Sequence, residues 1–162
     1  MLAVASLSRN NEPLSLEGVG TAMAHHGELL QGVFEVGNGR LLRGLVTLPL
    51  PAMTSRATFI ATRSTDITVR PHGRAKAGVA ARLTLDHLAI AEGGAVDIVS
   101  DIPIGHGYGS STADVVAVIR AVADAYSAHL QPSRISQLAV AAEKASDAIA
   151  FGEQALLFAQ RQ

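Results

Sequence analysis

The amino-acid sequence predicts an α+β domain, and three observations carry that prediction. Short apolar or β-branched runs punctuated by glycine and proline fill the first part of the chain, helical periodicity fills the second, and the order is strands first and helices later rather than a regular alternation. At 162 residues, with 48% hydrophobic and 17% charged residues, the chain has the size and balance of one globular domain with a buried core.

Taken in order, residues 1–15, with Ser6, Ser8, Asn10, Asn11 and Pro13, read as a polar and flexible lead-in, so one folded domain is expected over 16–162. Runs at 33–36, 41–48, 57–61 and 66–69 read as strands, and Gly37-Asn38-Gly39 as a turn, because glycine and asparagine accept positive φ at little cost. A helix is expected within 75–91, with Val79, Leu83 and Leu88 on one face, before Gly93 and Gly94 stop it; a strand follows at 96–100. Val115, Val118, Ile119, Val122 and Tyr126 recur at helical spacing and predict an amphipathic helix. Pro132 and Ser133 open another helix with Ile135, Leu138, Ala139 and Ala142 facing inward, and a last helical segment is expected over 148–159.

Thirteen Lys and Arg stand against 14 Asp and Glu, and the basic residues are scattered, which argues against a nucleic-acid partner. There is no cysteine, so disulfides and thiolate metal sites are excluded. The apolar stretch between Met1 and Arg9 lacks a basic start and is too short for a signal segment or a membrane span, so no membrane association and a cytoplasmic location are expected.

The most informative stretch runs from Asp101 to Asp114, Asp-Ile-Pro-Ile-Gly-His-Gly-Tyr-Gly-Ser-Ser-Thr-Ala-Asp, between a predicted strand and the strongest predicted helix. Gly105, Gly107 and Gly109 let backbone N–H groups turn inward, and the helix that follows offers unpaired N–H groups and the positive end of its dipole, a combination suited to phosphate oxygens. A P-loop would need Gly-Lys-Ser/Thr at its end, and a dinucleotide loop would need glycine where Ser110 stands. Here Ser110, Ser111 and Thr112 supply hydroxyls for phosphate or Mg2+ but no positive charge, so metal must neutralise much of a bound triphosphate. The competing reading is a helix cap, with Ser111 and Asp114 as a capping-box-like pair.

The segment Pro103-Ile-Gly-His-Gly-Tyr-Gly-Ser-Ser-Thr-Ala resembles the phosphate-binding motif of the GHMP kinases, a superfamily that includes galactokinase, homoserine kinase and mevalonate kinase. With its alanine- and valine-rich continuation it looks closest to the L-threonine kinases of cobalamin biosynthesis. The resemblance implies a ribosomal-protein-like two-layer domain with a left-handed βαβ crossover, and ATP held by Pro103, Gly105, His106, Gly107, Tyr108, Gly109, Ser110, Ser111 and Thr112. It also implies that a C-terminal domain with a third glycine-rich motif, absent from these 162 residues, completes the enzyme.

A second motif, Ala24-His-His-Gly-Glu-Leu-Leu-Gln-Gly32, interrupts a strand-like region with polar residues between two glycines. It resembles the Gly-Glu-Leu-Ile-Gln-Gly segment of the threonine-kinase group, which implies that Glu28 and Gln31 hold the ammonium or carboxylate of an amino-acid substrate. A plain solvated turn is the alternative. Adjacent His25 and His26 on a strand point to opposite faces, so they cannot readily share a metal ion.

Glu143 and Asp147 are four apart and would share a face if one helix ran through both. The resemblance implies that Glu143, with Ser111, binds Mg2+ and that Asp147 takes the proton of the substrate hydroxyl, although the threonine-kinase group spaces its two acids one residue closer. The alternative is a charged helix surface with Ser146 or Asp147 capping the next helix. The expectation is therefore an ATP- and Mg2+-dependent kinase for a small hydroxyl-bearing metabolite, L-threonine or a related amino acid. Its partner would be a second copy in a homodimer or a separate C-terminal kinase half. A non-catalytic nucleotide-binding half, or a decarboxylase of the same superfamily, is the competing expectation.

Overall fold

A computed structural model describes residues 13–144 and 146–159. Two long strands, β1 (Pro13–Val36) and β2 (Arg40–Thr62), form an antiparallel hairpin through the Gly37–Gly39 turn, where Asn38 and Gly39 take the positive φ expected of them. Then come β3 (Ile67–Arg70), α1 (Ala75–His87), β4 (Gly94–Ser100), α2 (Ser110–Ala125), α3 (Pro132–Glu143), a single 3-10 turn over Ala148–Phe151 and the two-residue β5 (Phe158–Ala159). The sheet order is β1-β2-β4-β3; β3 and β4 run parallel with α1 between them, while β5 pairs with β2 at Gly44 and Leu45. Among the described residues no helix is long and apolar enough to cross a membrane.

The sheet is two-sided in the manner that period-2 patterning dictates. Ser55, Ala57, Phe59 and Ala61 alternate inward along β2, joined by Val96 and Ile98 of β4 and Ala22 and Ala24 of β1, and the helical layer covers that face. Close approach is secured by small residues. A Cβ on Gly18 would lie 2.1 Å from the backbone nitrogen of Ala125, and one on Gly20 would lie 2.1 Å from the carbonyl oxygen of Ala117, so β1 and α2 touch backbone to backbone. The Asp124 carboxylate accepts the Val19 N–H at 2.8 Å, and Arg120 donates to the Thr21 carbonyl at 2.6 Å, which locks the same interface.

Several expectations need correction. β1 begins at Pro13, opposite Thr62, so Pro13–Ser15 belong to the strand rather than to the flexible lead-in; the rest of that lead-in lies outside the described residues. The runs expected at 41–48 and 57–61 are one strand, because Pro49 stays in register opposite His25 and the chain absorbs Pro51 at the register shift between Leu50, opposite Ala24, and Thr54, opposite Met23. The helix α1 buries Ala77, Ala80, Ala81, Thr84 and Leu85 and leaves Val79 exposed, since alanines allow it to seat close to α2. Twelve of the 16 residues of α2 are buried, so it is a central helix and not a one-faced one. Finally, the helix expected over 148–159 is only the 3-10 turn: Gly152, at φ 73°, ends it, and the chain then extends into β5.

Candidate active site

The glycine loop leaves β4 and enters α2 with all three glycines left-handed, Gly105 at φ 79°, Gly107 at 78° and Gly109 at 69°. At Gly109 two requirements coincide: the positive φ, and space, because a Cβ there would lie 3.1 Å from Asp147 Oδ2 and 3.1 Å from Ile149 Cδ1. Gly109 is also the N-cap residue of α2, its carbonyl accepting the Ala113 N–H at 2.8 Å, and no side chain caps the helix. Ser111 therefore stands inside the first turn, and the capping-box reading of Ser111 and Asp114 does not hold. Asp114 instead accepts the Ser55 hydroxyl at 2.6 Å and forms a buried ion pair with Arg74.

The amino-terminal motif does not interrupt β1; it is built into the strand as consecutive bulges around Glu28, with Gly27 at φ 45°. The bulged segment is strapped to the loop by two backbone bonds, His25 N–H to Tyr108 O at 3.1 Å and Gly27 N–H to Gly107 O at 3.3 Å. His26 is exposed, its ring 5.7 Å from that of Tyr108 between centroids, while His25 is buried although it lies out of phase with the inward-facing Ala22 and Ala24.

Between motif and loop lies a cavity of about 330 Å3, lined among others by His25, Glu28, Thr47, Gly109, Thr112 and Asp147. The His25 Nδ1 is hydrogen-bonded to the Thr47 hydroxyl, and its Nε2 has no partner among the described residues. Burial lowers the His25 pKa to about 4, so the ring is neutral at physiological pH. Asp147 is pushed the other way, to about 7: burial is the principal cause, the Glu143 charge adds to it, and a bond from the Ile149 N–H at 3.0 Å opposes it.

Glu143 ends α3, where Lys144 takes a left-handed turn at φ 68°, so Glu143 and Asp147 do not share one helical face. Asp147 instead caps the 3-10 turn, close enough to Glu143 to feel its charge. The Glu143 side chain is only 3% exposed, and its two oxygens accept separate hydroxyls: Ser111 Oγ to Oε1 at 2.6 Å and Thr112 Oγ1 to Oε2 at 2.8 Å. Hydroxyl and carboxylate oxygens are the donors that Mg2+ accepts, and it ordinarily takes one or two carboxylates with phosphate and water filling the rest, so these residues fit that ion.

The remaining expected positions are less enclosed. His106 is exposed, with Nδ1 2.9 Å from the Ile104 carbonyl, and Pro103 is also exposed. Glu28 is exposed and lines the cavity, whereas Gln31 is exposed outside it, paired in register with Leu45. On the other side of Ser110 and Ser111, a second cavity of about 460 Å3 is bounded by Arg74, Lys76 and Ile104. Sequence reasoning missed His25, Thr47, Arg74 and Lys76. None of the four carries a local signal: His25 lies out of the inward phase set by Ala22 and Ala24, and the other three are ordinary residues until the fold assembles them.

Residues 75–154 match the family model described as the GHMP kinases N terminal domain. Among solved structures the chain is similar to a mevalonate kinase, at 21% identity and TM-score 0.60, over 85% of this chain and 48% of that one. It is also similar to the homoserine kinase of Cytophaga hutchinsonii, at 18% identity and TM-score 0.57, over 89% of this chain and 44% of that one. A mevalonate 5-diphosphate decarboxylase shares the fold at 15% identity and TM-score 0.55, over 77% and 38%. No curated protein matches the chain in sequence. The fold is that of the GHMP kinase N-terminal domain, and the chain spans about half the length of the first two of these structures.

Proposed function

We propose that this chain, built on the GHMP kinase N-terminal fold, binds ATP with Mg2+ on its glycine loop and contributes the phosphate, metal and base groups of a small-molecule kinase. The observation that carries the reading is the convergence on one loop: Ser111 and Thr112 at its end hold Glu143, while Gly109 has no Cβ and so admits Asp147 at van der Waals range. A helix cap needs neither contact.

When bound, ATP supplies the phosphoryl group and Mg2+ neutralises charge between its phosphates. The chain's own part is positional. The N–H groups of the loop and of the first turn of α2 would bind phosphate oxygens, and Ser111 and Glu143 would hold the metal. The Asp147 carboxylate would accept the proton of an acceptor hydroxyl in the cavity of about 330 Å3 as that oxygen bonds to the terminal phosphorus of ATP and the bond from that phosphorus to the bridging oxygen breaks, with ADP as the leaving group. A base whose pKa is about 7 is matched to that task near neutral pH.

The favoured acceptor is L-threonine or a related amino acid. What supports it is the Gly27-Glu-Leu-Leu-Gln-Gly32 motif and the place of Glu28 on the cavity wall, where its carboxylate can meet an ammonium group.

The test is calorimetric titration with a non-hydrolysable ATP analogue and Mg2+, followed by an acceptor screen that begins with L-threonine. Ser111→Ala and Gly107→Val are expected to weaken binding by about tenfold or more. Unchanged binding in both variants would remove the nucleotide from the loop. Binding without phosphate transfer to any hydroxyl acceptor would leave a nucleotide-binding half and no kinase.

A further inference from the structure

The loop ends in hydroxyls and carries no lysine, so the charge that meets a triphosphate must come from elsewhere in the fold. We propose that Lys76 is a phosphate-binding cation for the nucleotide, held against Glu143 until the metal that accompanies the nucleotide takes its place; this rests on the nucleotide reading above.

Two full cations line the cavity of about 460 Å3 beside Ser110 and Ser111, and their circumstances differ. Arg74 is committed to the structure: its guanidinium pairs with Asp114, whose side chain is 3% exposed and whose other oxygen takes the Ser55 hydroxyl. Moving Arg74 would strand a buried carboxylate, so it stays.

Lys76 is 55% exposed and its ammonium lies 3.7 Å from Glu143 Oε1, a loose pairing that solvent screens. That oxygen is the one that already accepts Ser111 Oγ. The ammonium therefore marks the side of a nearly buried carboxylate where positive charge is favoured, next to the hydroxyl that suits a metal. A divalent ion arriving there competes with Lys76 directly and wins on charge. Released, the ammonium remains on a four-carbon stem at the wall of the same cavity, beside the serines that begin α2, with three donors free for phosphate oxygens. The exchange keeps Glu143 compensated in both states and delivers the positive charge that the loop lacks.

The experiment is calorimetry on the full chain with Mg2+ and either a non-hydrolysable ATP analogue or ADP, comparing the unsubstituted protein with Lys76→Met, Lys76→Arg and Ser111→Ala at low and at physiological salt. Lys76→Met is expected to weaken the triphosphate by about tenfold and to flatten the salt dependence, and Lys76→Arg to recover most of the loss. Its unfolding temperature should stay close to that of the unsubstituted chain, because the side chain is half-exposed, and that measurement separates lost contact from lost fold. Unchanged affinity in Lys76→Met while Ser111→Ala fails would make Lys76 an ordinary surface partner of Glu143 and leave the nucleotide reading standing. No binding by the unsubstituted chain would overturn both.

Discussion

At Asp147 one carboxylate meets two demands, as cap of the 3-10 turn and as wall of the cavity, and burial raises its pKa to about 7. A raised folded-state value means that the contribution to stability is fully present below the unfolded value of 3.8 and is lost as pH rises through about 7. His25, lowered from 6.5 to about 4, does the opposite: its contribution is present above 6.5 and is lost as pH falls towards 4. Over the shared window, roughly pH 4 to 6.5, the two offset each other. Asp147→Asn should therefore unmask a loss of stability on acidification and gain about 1–2 kcal/mol at pH 8, while His25→Gln should unmask a gain on acidification. Urea midpoints at acid and neutral pH check both, and parallel curves for all three proteins would show that neither shift exists. For transfer activity, Asp147→Asn is expected to lower the rate by about 100-fold or more without weakening nucleotide binding. A variant that transfers phosphate at the unsubstituted rate would remove Asp147 as the base.

At the scale of elements, the β1 and α2 contact determines where the loop begins. Because Gly18 and Gly20 let α2 lie against the strand backbone, the N-terminus of α2 is held opposite the bulged motif of β1, and the bonds from His25 and Gly27 to the loop become possible. Gly20→Ala has no room to be accommodated by a side-chain shift, since the nearest atoms are backbone of α2. It should cost about 1–3 kcal/mol or more, a fall of several degrees in unfolding temperature, and should weaken nucleotide binding although it touches no ligand. Full stability in this variant, read from the denaturant midpoint at constant slope, would show that the interface relaxes.

For the whole molecule, the far part of the long hairpin stands out. Leu29, Leu30, Val33 and Leu41 are each more than half exposed, although large apolar side chains cluster on soluble surfaces only where something covers them. Self-association at raised concentration is the expected outcome, reduced by Val33→Lys with Leu41→Lys; light scattering that shows a monomer throughout for the unsubstituted chain would count against it.

The elements whose signals are local were legible in the sequence. Glycines at 105, 107 and 109 announced a turning loop, and Pro132 opened α3, because each depends on backbone sterics within a few residues. The sequence also singled out Ser111, Glu143 and Asp147, but it joined the two acids by a helix that the chain does not form. Only the tertiary structure decided that the chain turns left-handed at Lys144, that Glu143 meets two hydroxyls 31 and 32 residues away, and that Lys76 reaches it from α1. Those contacts depend on how closely helix backbones approach one another and β1. Alanine and glycine permit that approach without announcing which surfaces will meet, and so the fold, not the local pattern, places the charges.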